Sequence, residues 1–78
     1  VTVYAIQSEV NGDIYVGISK DADLRLKQHN AGKSKYTKGL KLWKHYIREL
    51  QPDWVTARNR EKYLKSGVGK EFLKSLVP

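Results

Sequence analysis

The sequence predicts an α+β domain, in which a small three-stranded antiparallel sheet is flanked by helices in the order ββ-α-β-α-α. Three observations lead to this prediction. Two short segments rich in β-branched and aromatic residues surround an Asn-Gly pair, which favours a hairpin. A third such segment lies between two stretches with helical caps and helical spacing. The chain has 78 residues, which is enough for one domain over residues 1–78 and too few for two.

The first predicted unit is the hairpin. Residues 1–8 and residues 14–19 have the alternation of half-buried strands. Asn11 and Gly12 both tolerate positive φ, so the turn is predicted to be centred on this pair.

The predicted register places Tyr4 and Tyr15 on the same face of the hairpin. With the turn centred on the Asn-Gly pair, Tyr4 faces Ser19 and Gly17 faces Ile6. The two phenols are then offset by about four residues, or roughly 13 Å along the strand. Gly17 leaves a shallow dent between them. Two half-buried strand tyrosines without a further role are the alternative interpretation.

The middle of the chain is predicted to hold one helix, a basic loop and the third strand. Ser19 or Asp21 can cap the helix, which runs to about residue 31 and is ended by Gly32. Residues 32–41 form the loop, and residues 42–49 form a strand rich in Trp, Tyr and Ile.

The last third is predicted to hold two helices. Asp53, after a Pro-containing break, caps the first of them. Residues 66–69, with two glycines, end that helix, and residues 70–77 form a short closing helix.

Two polar residues of the first helix border its buried side. Arg25 and His29 are four residues apart and therefore lie on the same side of the helix. Ala22 and Leu26 are the nearest apolar residues on that arc, whereas Leu24 lies on the opposite side. A structural or solvated Arg-His pair is the alternative to a functional one.

An acidic residue lies on the apolar face of the next helix. Ala57, Glu61 and Leu64 lie on this face at helical spacing, and Trp54 lies next to it. A carboxylate there is costly unless it is paired or coordinates a ligand. A salt bridge from Glu61 to Arg60 or Arg25 is one explanation, and a bound cation is the other.

Charge and composition limit the classes of function. Residues 19–48 carry a formal charge of +7, against −2 for residues 1–18 and +2 for residues 49–78. Basic residues interleaved with aromatic ones favour a nucleic-acid partner, without separating DNA from RNA. A solvated basic surface is the alternative.

No cysteine is present, and no apolar run is long enough to span a membrane. We therefore expect an intracellular, cytoplasmic protein, as a monomer or weak oligomer.

Taken in order, these residues resemble the GIY-YIG nuclease domain over essentially the whole chain. Thr2-Val3-Tyr4 stands at the Gly-Ile-Tyr motif and Tyr15-Val16-Gly17 at the Tyr-Ile-Gly motif. Arg25 and His29 match the Arg-x-x-x-His of the family's first helix, and Glu61 matches its metal-binding acid. The stretch over residues 60–67 resembles a small stand-alone bacterial branch of the family.

The resemblance implies a DNA endonuclease that uses one divalent metal ion, Mg²⁺ or Mn²⁺. The family includes homing endonucleases, restriction enzymes and a subunit of an excision-repair nuclease, so a role in DNA repair is one expectation. Glu61 would bind the metal, and Arg25 would clamp the phosphate. Tyr4, aided by His29, would take a proton from the attacking water, and Tyr15 would orient the water or the phosphate. A free phenol is a poor base at neutral pH, so nearby cations would have to lower the pKa of Tyr4.

Three residues of the basic loop would contact DNA by the same resemblance: Lys35, Tyr36 and Lys38. The chain departs from the family pattern at Thr2, where the first motif has glycine, and at Ile18, where some members have lysine. A nucleic-acid-binding module with a vestigial site is therefore a second hypothesis, and a basic structural protein is a third.

Overall fold

The computed structural model describes residues 1–10, 12–32 and 42–76, and its elements follow the predicted order. They are β1 (Thr2–Ser8), β2 (Ile14–Ser19), α1 (Ala22–Asn30), β3 (Trp43–Leu50), α2 (Trp54–Lys65) and α3 (Gly67–Ser75). The strands form one antiparallel sheet in the order β2-β1-β3. The predicted α+β class is therefore confirmed. Within these ranges, no helix combines the length and the apolar character needed to cross a membrane.

The register of the hairpin differs from the predicted one by two residues. Tyr4 pairs with Gly17, and Ile6 pairs with Tyr15. The physical reason lies at the turn, where the Ser8 N–H donates to the Asp13 carbonyl at 2.8 Å, which makes the connection longer than two residues. Asn11 lies outside the described residues. A shift of two keeps every side chain on its predicted face, because the pleat has a period of two.

Each face of the sheet carries its own apolar cluster. On one face Val3, Ala5 and Val16 pack with Ala57, Leu64 and Leu73 from the last two helices. On the other face Tyr4, Ile6 and Trp43 pack with Ala22 from α1. The central strand β1 is thus covered on both faces, which explains why residues 3–6 are all buried.

Side-chain hydrogen bonds hold α1 in place at both ends. Asp21 is the N-cap, accepting from the Leu24 N–H at 3.0 Å, so the predicted cap is confirmed. At the other end the Asn30 amide donates to the Trp43 carbonyl and accepts from the Trp43 N–H. Asn30 therefore pairs with the first residue of β3 much as a neighbouring strand would. Gly32 has a φ of 76°, as expected for a residue that ends a helix.

The junction of α2 and α3 is tighter than predicted. Asp53 caps α2 as predicted, but α3 begins at Gly67 rather than at Lys70. Ser66 ends one helix and caps the next, accepting from the Gly69 N–H at 3.2 Å. A Cβ on Gly69 would overlap the backbone of Tyr63, so this glycine permits the close approach of the two helices. The apolar face of α2 is Ala57 and Leu64, whereas Trp54 is exposed.

Candidate functional site

A hydrogen bond between Tyr4 and His29 forms the centre of the site. Tyr4 lies in the middle of β1 and His29 in the last turn of α1, and both side chains are buried. The Tyr4 hydroxyl lies 3.1 Å from His29 Nε2. A buried imidazole in contact with a buried phenol gives each group a partner that can exchange a proton with it.

Tyr15 completes an aromatic cluster with these two residues. Its ring centroid lies 4.8 Å from that of His29 and 6.5 Å from that of Tyr4. In the observed register the two tyrosines are offset by two residues along the strand direction, whereas the predicted register offset them by four. Gly17, directly opposite Tyr4, leaves the space that the Tyr4 phenol occupies.

Arg25 is held beside this cluster by α1. Its guanidinium donates from Nη1 to the Gln28 side-chain oxygen at 2.7 Å, and the side chain is half-buried. It lies close enough to Tyr4 to interact with the phenol directly. Leu24 is exposed on the opposite side of the helix, so the predicted inward orientation of Arg25 and His29 is confirmed.

Glu61 approaches the cluster from α2. Its side chain is 19% exposed, and its carboxylate accepts from Lys65 Nζ at 3.3 Å. Lys65 Nζ also lies 6.0 Å from the centroid of the Tyr15 ring. The Glu61 charge contributes to the raised pKa of Tyr4, so the carboxylate lies within electrostatic range of that phenol.

Arg60 is not the partner of Glu61. Its guanidinium donates to both oxygens of Glu49, at 2.7 and 3.0 Å. Arg60 also lies over the rings of Tyr63 and Phe72. It therefore joins β3 to the two C-terminal helices, and the alternative in which Arg60 neutralises Glu61 is wrong, because Arg60 pairs with Glu49.

Burial controls the protonation of the Tyr4–His29 pair. Burial raises the pKa of Tyr4, and the neighbouring Arg25 only partly opposes it. Burial, reinforced by the Arg25 charge, lowers the pKa of His29 to about 4. Both side chains are therefore neutral at pH 7. The expectation that nearby cations lower the pKa of Tyr4 does not hold for the protein alone, because burial outweighs the one arginine.

The donor set fits a metal ion that binds few protein groups. Within the described ranges, no cluster of three or more His, Cys, Asp or Glu side chains is arranged to hold a metal. Glu61 supplies a single, partly accessible carboxylate. Mg²⁺ retains several waters and often takes only one or two carboxylates plus phosphate oxygens, so Glu61 suits it.

Two residues near the site were missed from the sequence, and three predicted ones cannot be placed. Lys65 was missed, although it lies four residues after Glu61, a spacing that places the two side chains together on a helix and could have predicted their ion pair. Gln28, which orients Arg25, has no such signal. The predicted DNA contacts Lys35, Tyr36 and Lys38 lie outside the described residues.

Comparison with known proteins gives one match. A family model described as the GIY-YIG catalytic domain matches residues 1–73. No curated protein and no solved structure matches the chain significantly. The match spans both motifs of the hairpin, α1 and the Glu61 helix.

Proposed function

The chain belongs to the GIY-YIG family, whose domain has a nuclease-type fold, and from this premise we propose that it is a divalent-metal-dependent endonuclease that hydrolyses DNA phosphodiester bonds. One observation supports this proposal most strongly. The 3.1 Å contact between Tyr4 and His29 lies beside the Arg25 guanidinium and within range of the Glu61 carboxylate. A proton-accepting pair, a phosphate-binding cation and a metal-binding acid are the groups that phosphodiester hydrolysis requires.

Arg25 is proposed to bind the scissile phosphate. A guanidinium matches the oxygens of a phosphate and keeps its charge at any accessible pH. The hydrogen bond that the guanidinium donates to Gln28 limits its rotation, so the cation is oriented before the substrate arrives. Negative charge that develops on the phosphate during attack would be stabilised by this cation.

Tyr4 and His29 are proposed to move the proton of the attacking water. Because the pKa of Tyr4 is raised, very little of the phenol is deprotonated at pH 7. A relay does not require the deprotonated form: the phenol oxygen takes a proton from water while its own proton passes to His29 Nε2. The relay requires the tautomer of His29 with Nε2 unprotonated. The bound phosphate adds negative charge near His29 and so favours the imidazolium that results.

Glu61 is proposed to hold the metal ion, Mg²⁺ or Mn²⁺. A divalent ion at this position supplies charge stabilisation for the phosphate and the leaving oxygen. Lys65 Nζ, 3.3 Å from one oxygen of the Glu61 carboxylate, would compete with the ion for this group. Tyr15, between His29 and Lys65, is proposed to position the water or the phosphate.

A nucleic-acid-binding module is the second candidate function. The pKa shifts favour it, because the Tyr4 phenol stays protonated at pH 7 and a pKa of about 4 makes the His29 imidazole a weak base. The net charge of +7 serves binding and cleavage equally well.

The discriminating experiment is a cleavage assay with purified protein, Mg²⁺ or EDTA, and a panel of single-stranded, duplex, branched and RNA substrates. The nuclease proposal predicts products on DNA with Mg²⁺ and none with EDTA. Binding with a steep salt dependence but no product on any substrate would support the binding module instead.

A further inference from the structure

A groove of about 430 Å³ lies beside the site, and most of its lining has no part in the chemistry described above. It runs between β2 and the pair α2 and α3. Ile14 and Tyr15 give the lining partly exposed apolar surface, and the buried side chains of Val16, Leu64 and Leu73 form its floor. Its volume falls within the range of roughly 300–1,000 Å³ that is usual for small-ligand sites.

Three lysines give this groove a positive charge. Lys65 comes from the end of α2, and Lys70 and Lys74 lie one helical turn apart on α3. All three side chains are exposed. Asp13 supplies the single carboxylate of the lining and Glu61 pairs with Lys65 beside it, so the three cations face two carboxylates. An apolar surface edged by cations is complementary to a ligand that is apolar in one part and anionic in another.

The groove is continuous with the candidate active site. Tyr15 and Lys65 belong to its lining and also to the cluster around Tyr4. Lys65 Nζ lies 3.3 Å from the Glu61 carboxylate, so the groove begins where the scissile phosphate is expected. A DNA strand that leaves the site in this direction would enter the groove.

We propose that this groove binds an unpaired nucleotide of the DNA substrate next to the scissile phosphate. The base lies against the apolar lining, and the backbone phosphates contact Lys65, Lys70 and Lys74. A paired base is stacked inside the duplex and cannot reach the groove, so the occupant must be unpaired. The inference rests on the proposed function and narrows its substrate to DNA with a single-stranded segment at the cleavage point.

The test compares equilibrium binding of three labelled DNA probes by fluorescence anisotropy, in EDTA so that no cleavage occurs. The probes are a duplex, the same duplex with a short single-stranded branch, and that branch with abasic residues. The branched probe should bind about fivefold or more tightly than the duplex, and abasic residues should remove this advantage.

Protein variants link that preference to the groove. Lys70→Gln combined with Lys74→Gln should reduce the ratio of branched to duplex affinity. Lys27→Gln combined with Lys62→Gln changes two exposed lysines outside the groove lining and should leave the ratio unchanged. Loss of lysine charge weakens the attraction to phosphates in both probes, and this general effect cancels in the ratio of the two affinities. Circular dichroism melting checks that both double variants fold.

Three results would overturn the proposal. The first is equal affinity for the branched and duplex probes. The second is an abasic branch that binds as tightly as the branch with bases. The third is an unchanged ratio of branched to duplex affinity when Lys70 and Lys74 are both replaced by Gln. A changed sedimentation coefficient of that variant without DNA would assign the groove to contact between copies of the chain, which also overturns it. Failure of the nuclease proposal is separate, because it appears as absence of product with Mg²⁺ while the branch preference persists.

Discussion

Tyr4 lies directly across Gly17, and a Cβ placed on Gly17 would stand 2.5 Å from the phenol oxygen and 2.7 Å from Cζ. Real side chains do not approach so closely. Gly17 is therefore required by the position of Tyr4 rather than by a turn. The glycine of the second motif and the tyrosine of the first form one structural unit, which directs the phenol toward His29.

Substituting Gly17→Ala should displace the Tyr4 phenol and lower the free energy of unfolding by about 1–3 kcal/mol, the usual cost of overpacking. Urea denaturation measures the change. In a Tyr4→Leu background the same substitution should cost less, because the obstructing ring is gone. Gly67→Ala is the control, since a Cβ there has no atom within 4 Å and should be neutral or slightly stabilising. Equal effects at the two glycines would contradict the close contact.

The buried His29 should make stability depend on pH. The unfolded chain protonates this residue near pH 6.5, whereas the folded protein does so only at about pH 4. The free energy of unfolding should therefore fall as the pH drops from 6.5 to 4, by up to about 3 kcal/mol. His29→Gln should flatten this part of the profile, and His45→Gln should not. Parallel profiles for the parent and His29→Gln would show that His29 is not held neutral by burial.

Local spacing and local hydrogen bonds could be predicted from the sequence. They determine the order of the elements, the helix caps and the inward orientation of Arg25 and His29. The hairpin register was not, since a shift of two residues preserves the alternation of faces. The start of α3 was missed because Gly67 and Gly69 resemble helix breakers, whereas Gly69 is needed for the contact with α2. The protonation of Tyr4 depends on burial, a tertiary property with no signal in the sequence.

Arg60 should matter for stability rather than for catalysis. Arg60→Met removes a two-point hydrogen bond to the half-buried Glu49 and leaves that carboxylate without its partner, which should cost about 1–3 kcal/mol. Arg58→Met, at an exposed position of the same helix, should change stability by about 0.5 kcal/mol or less. Thermal or urea unfolding measures both. A cost no larger at Arg60 than at Arg58 would mean that the pair contributes nothing.

Lys65 should compete with the metal ion for Glu61. Removing its charge with Lys65→Met should lower the Mg²⁺ concentration that gives half-maximal cleavage by about threefold, the size expected for an exposed ion pair. A titration of cleavage rate against Mg²⁺ measures this value. Lys62→Met, on an exposed position of the same helix, is the matched control. An unchanged Mg²⁺ requirement in Lys65→Met would remove Lys65 from the account of metal binding.

The role of Glu61 as the metal-binding acid is the central claim, and single-turnover cleavage of DNA by Glu61→Gln in Mg²⁺ tests it most directly. The amide retains the size of the side chain and removes its charge, so the rate should fall about 100-fold or more while the fold persists. Glu71→Gln, at an exposed position of α3, should cut at the parental rate. Cleavage by Glu61→Gln at the rate of the parent protein would contradict the account.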